Sequence, residues 1–102
     1  MYEHTALESG TDRLRNSIEA AADILKSYGA TEVYVFGSAV HGSLRPESDV
    51  DLAVSGLPAT VFFRAASKAA DILGRPADLV DLDDESPAIQ YLRSSGELVR
   101  VR

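Results

Sequence analysis

The sequence predicts an α+β domain, a small mixed β-sheet with helices packed on one face. Segments of three- and four-residue apolar periodicity alternate with short β-branched runs, in the order helix, strand, strand, helix, strand, helix, strand. The 102 residues suit one compact unit, and their 45% hydrophobic and 25% charged composition is that of an ordinary globular chain. Glycine and proline punctuate the periodic segments.

Residues 1–11 are polar and aperiodic and are expected to form a flexible tail, leaving 12–102 as a single domain. From Asp12, the stripe Leu14, Ile18, Ala21, Leu25 and Tyr28 lies on one face of a helix that Gly29 stops. Val33-Tyr34-Val35-Phe36 reads as a buried strand. A polar loop from Gly37 to Ser48, with room for one helical turn, leads to a second strand, Asp49–Val54. A second long helix is expected over Ala59–Leu73, closed by Gly74 and Pro76. Its Phe62-Phe63 pair should sit half in the core, with one ring at the surface. Ala77–Leu82 reads as a third strand. Ser86-Pro87 is a cap followed by proline at the first helical position, and Gly96 ends that helix. Leu98–Arg102 alternates apolar and basic residues, as a half-exposed closing strand does.

Ten Lys and Arg against sixteen Asp and Glu leave a formal charge of −6. That balance argues against gripping nucleic acid by its backbone charge. The absence of cysteine excludes disulfides, thiolate zinc sites and a thiol nucleophile. Apolar runs are too short to span a membrane, and Met1-Tyr2-Glu3-His4 lacks the order of a signal peptide, so a cytoplasmic location is expected.

The chemistry-bearing stretch runs from Val35 to Leu52. A strand delivers Gly37-Ser38 to a sharp turn where backbone amides and the Ser38 hydroxyl can meet phosphate. After it, Asp49 and Asp51 sit two apart on a strand, so both carboxylates project from one face. Paired carboxylates repel unless a cation neutralises them, and hard oxygen donors suit Mg²⁺. A phosphate cradle beside a magnesium platform is the minimum equipment for phosphoryl or nucleotidyl transfer. Each piece alone is a common turn or strand feature. The combination arises by chance on the order of once in ten thousand chains of this size.

These residues resemble the nucleotidyltransferases of the polymerase-β superfamily, whose signature is Gly-Ser, about ten residues, then Asp-x-Asp on the next strand. The spacer Ala39–Ser48 has that length, and Gly42 and Ser48 match common family positions. The size is similar to that of the minimal nucleotidyltransferases, the MNT antitoxins of HEPN–MNT toxin–antitoxin pairs. Asp78-Leu79-Val80 resembles the third-carboxylate strand; Asp81 has opposite strand parity, and Asp83 and Asp84 fall in the following loop.

The resemblance implies a polymerase-β-like fold and a Mg²⁺- and ATP-dependent reaction. Asp49, Asp51 and Asp78 would be the catalytic metal ligands for two Mg²⁺ ions, with Gly37, Ser38, Ser48 and Arg45 at the nucleotide. Arg45 enters because Ala39 and His41 stand where many minimal members carry arginine. The implied reaction moves AMP from ATP to a tyrosine of a HEPN ribonuclease toxin. Two alternatives stay open: a non-catalytic module that blocks its partner sterically, and transfer to a small hydroxylated molecule.

Overall fold

The computed structural model describes the backbone of residues 4–41 and 49–102, and the side chains of 13–40 and 49–102. Its elements are α1 (His4–Ser27), β1 (Glu32–Phe36), α2 (Ser38–His41), β2 (Val50–Ser55), α3 (Phe62–Leu73), β3 (Ala77–Asp81), α4 (Pro87–Ser94) and β4 (Val99–Arg100). The sheet order is β3-β2-β1-β4. β1 pairs antiparallel with both β2 and β4, whereas β2 and β3 run parallel because α3 carries the chain back between them. This is the mixed sheet and α+β class that the sequence predicts.

The expected stripe holds α1 to the sheet. Ile18, Ala21, Ala22 and Leu25 are buried, and Leu14 and Tyr28 pack against that cluster. They meet Val33 and Val35 of β1, Val50, Leu52 and Val54 of β2, and Ala65, Ala69 and Leu73 of α3. Fully burying an aliphatic side chain of this size stabilises by about 1.5–3 kcal/mol. The helix begins at His4, well upstream of Asp12, where periodicity starts. Ala6-Leu7-Glu8 are good helix formers, and adding residues to an existing helix avoids the nucleation cost.

Period-two alternation puts the other side chains of β1, β2 and β3 on the opposite face. There Ala53 joins Leu82 and Ile89 in a smaller cluster, with Tyr34, Phe36, Val80, Leu92 and Leu98 against it. Helices therefore do not all share one face: α1 and α3 cover one, and α4 roofs part of the other. The cause is the apolar Ile89 and Leu92 of α4, which find their partners on the face left open by the long helices.

Two further boundaries differ from expectation, and the Phe62-Phe63 pair sits as expected. Ala59–Val61 form a 3₁₀ turn ahead of α3. Phe62 packs on the core and Phe63 is 83% exposed, with their rings edge to face at 5.6 Å. The closing strand shrinks to Val99–Arg100 because the N–H groups of Val101 and Arg102 both bond the Val33 carbonyl, at 2.8 and 3.2 Å, which breaks the ladder. Among the described residues no helix is long and apolar enough to cross a membrane.

Candidate active site

Register builds this site. Asp51 of β2 lies opposite Phe36 of β1 on one side and opposite Asp78 of β3 on the other. Partners in register point to the same face, so Asp51 and Asp78 share the face that α4 leaves open at this end. Asp49 stands two residues before Asp51, just outside the strand, and is exposed, as is Asp78. The Val50 N–H donates to the Pro76 carbonyl at 3.1 Å, which clamps the start of β2 to the start of β3 and keeps the carboxylates level.

Three like charges at one end of a sheet have an electrostatic signature. Burial, then the neighbouring charges of Asp78 and Asp49, push the Asp51 carboxyl above the usual carboxylate range. Asp51 is thus the carboxylate that most needs a cation. Among the described residues no three acidic or histidine side chains already close around one point. The carboxylates form an open platform rather than a cage. That arrangement fits Mg²⁺, which takes one or two protein carboxylates and completes its shell with water and substrate phosphates.

The Gly37-Ser38 turn lies over this platform. Gly37 leaves β1 with φ 76°, and a Cβ placed there would overlap Asp51 Oδ2. The turn is closed by the Val40 N–H donating to the Gly37 carbonyl at 3.0 Å, and Ser38 opens α2 half-buried. The expected nucleotide contacts Arg45 and Ser48 lie outside the described residues, as does Gly42.

Two of the acids after Asp78, namely Asp81 and Asp83, have structural work. Asp81 pairs with Val54 at the far end of β2, and its Oδ1 accepts the Asp83 N–H at 2.9 Å. Asp83 in turn accepts the Gly56 N–H at 2.7 Å and lies 3.9 Å from the Arg93 guanidinium. Neither approaches Asp51. Phe36, read from the sequence as plain core, is the residue that reasoning undervalued. It stands directly across from Asp51 and walls the carboxylate face, and its even-numbered parity with Tyr34 was the available signal. An apolar groove of about 380 Å³ between α1, α2 and β4 opens beside Val35 and Val101, on the α1 side of the sheet, away from the carboxylates.

The comparisons agree with this geometry. The family model described as polymerase beta, nucleotidyltransferase matches residues 19–100. A protein described as a candidate minimal nucleotidyltransferase is 30% identical, superposes with a TM-score of 0.70, and is matched over 87% of this chain and 93% of its own. A toxin–antitoxin structure with AMP-PNP is 25% identical, with a TM-score of 0.68 over 86% of this chain and 72% of the other. The structure of a tri-AMPylated Shewanella oneidensis HEPN toxin in complex with MNT antitoxin shares the fold at 22% identity, with a TM-score of 0.61 over 90% and 71% of the two chains. No curated protein matches by sequence. With its Gly-Ser turn folded against an Asp-x-Asp strand and a family match across most of its length, this chain belongs to the polymerase-β nucleotidyltransferase family.

Proposed function

We propose that the chain is a Mg²⁺-dependent nucleotidyltransferase that moves AMP from ATP to a tyrosine hydroxyl of a partner protein, a HEPN-type toxin, and so acts as its antitoxin in the cytoplasm. The observation that carries the reading is the register of Asp51 with Asp78, with Asp49 immediately before β2, under the Gly37-Ser38 turn. The likeness to a toxin–antitoxin structure holding AMP-PNP supports the nucleotide and the type of partner.

In this reading Asp49, Asp51 and Asp78 hold Mg²⁺, and Gly37, Ser38, Arg45 and Ser48 contact the nucleotide. Bound there, Mg²⁺ supplies the positive charge that offsets the triphosphate and the acceptor oxyanion. The acceptor oxygen attacks the α-phosphorus, the bond to the bridging oxygen breaks, and pyrophosphate leaves. The acceptor proton passes to the Asp78 carboxylate and then to solvent. Phe36, opposite Asp51 in the sheet, gives the acceptor an apolar wall beside the carboxylates.

The test is label transfer from α-labelled ATP, with Mg²⁺, to a protein that co-purifies with this chain. Label should enter that protein, and Asp49→Asn/Asp51→Asn should lower the rate by more than about 100-fold, since losing metal ligands costs at least as much as losing the groups that orient them. A partner that stays unlabelled yet bound and inhibited would sink the catalytic reading and leave a steric module.

A further inference from the structure

Gly37 meets two separate demands, whereas Gly74 and Gly96 meet only one; Gly56, with φ of 79°, is also crowded, but by Thr31 and not by a carboxylate. The Gly37 φ of 76° belongs to the left-handed region that side chains disfavour. Gly74 and Gly96 have φ of 70° and 78°, but a Cβ at either would find open space. At Gly37 the three nearest atoms to such a Cβ all belong to Asp51: Oδ2 in overlap, Cγ at 3.3 Å and the Asp51 Cβ at 3.6 Å. The Asp51 carboxylate thus turns across the end of β1 into the space where a side chain at 37 would be.

We propose that Gly37 is a positioning residue for Asp51, its missing side chain being the room that aims this carboxylate at the Gly37-Ser38 turn. The turn and the carboxylate are then set as one unit. The overlapped group ends a short side chain that can rotate away. Adding a methyl at position 37 therefore relocates the carboxylate while leaving the strands paired. The metal-binding consequence rests on the function proposed above; the steric relation does not.

Gly37→Ala and Gly74→Ala share the backbone penalty and differ in the contact with Asp51, so comparing them isolates that contact. Two quantities are read on the whole chain: Mn²⁺ affinity by electron paramagnetic resonance, and thermal midpoint with chelator. Gly37→Ala should lower Mn²⁺ affinity by about tenfold or more, whereas Gly74→Ala should leave it unchanged. On an Asp51→Ala background, the extra loss of midpoint in Gly37→Ala relative to Gly74→Ala should vanish. Wild-type Mn²⁺ affinity in folded Gly37→Ala would overturn the proposal, and so would an extra loss that persists without the Asp51 carboxylate. Should Gly37→Ala fail to fold, the Gly37→Ala/Asp51→Ala chain must fold for the proposal to stand. Should wild type bind no Mn²⁺, the functional reading fails, and the thermal comparison still decides the role of Gly37.

Discussion

A carboxylate that is partly buried beside two others is costly to ionise, and Asp51 occupies that position. Its folded-state pKa is raised above the unfolded value. Asp51 therefore favours the folded state while protonated, at pH below the ordinary carboxylate range. That contribution is lost as pH rises through the raised pKa. In chelator at neutral pH, Asp51→Asn should melt above wild type, and the difference should disappear on acidification to below the ordinary carboxylate range. Differential scanning calorimetry across that range checks it; a lower midpoint for Asp51→Asn at neutral pH would contradict the electrostatic account. At this scale much of the site is legible in the sequence. Two-residue spacing places Asp49 and Asp51 on one face, and parity separates Asp78 from Asp81. The fit of the Asp51 carboxylate against Gly37 is not legible, because it depends on where β1 ends relative to β2.

Elements are decided by local chemistry at their ends and by tertiary packing along their faces. Ser86 shows the first: its Oγ accepts the Ile89 N–H at 3.4 Å, with Pro87 at the first helical position. Ser86→Ala should cost about 1 kcal/mol, a fall of about 4–8 °C in midpoint for a domain of this size, while Ser86→Asp should largely preserve it. Thermal unfolding of the two variants checks the cap. The faces are another matter. α4 reads from its sequence as an amphipathic helix, but nothing in its eight residues says which side of the sheet it will cover. That choice falls to the opposite face because α1 and α3 fill the first and pack against each other. The upstream start of α1 also escapes apolar periodicity, since helix propensity and cooperative extension leave no apolar repeat in the sequence to mark it.

For the whole molecule, the two faces of the sheet divide stability unequally. Among the described residues, the α1–α3 side holds fourteen of the buried core residues and the α4 side holds three. Regions with fewer buried apolar contacts open at lower cost. Hydrogen exchange should therefore release the α4 and β4 amides first, with α1 from Ile18 onward, β1 and β2 protected to the global limit. Uniform protection across α4 and β2 would show instead that the small cluster is integral to one cooperative unit. The division also matters for the site. The carboxylates stand on the weaker face with Phe36 opposite Asp51, while β2 is anchored from behind by Val50, Leu52 and Val54. A rigid back and a more easily opened front would suit the entry of the two substrates that the proposed function requires.

What the sequence by itself determined is local: the order of elements, the stops at Gly29 and Gly74, the cap at Ser86, and the pairing of Asp49 with Asp51. Each depends on residues within a turn or two of one another. Only the tertiary structure decided the rest. It set Asp51 opposite Asp78, sent α4 to the second face, assigned Asp81 and Asp83 to holding a loop, and put the Asp51 carboxylate where Gly37 has no side chain. These are relations between segments far apart in the chain. They are set by strand register and by which apolar surface is already covered, and no window of sequence contains either.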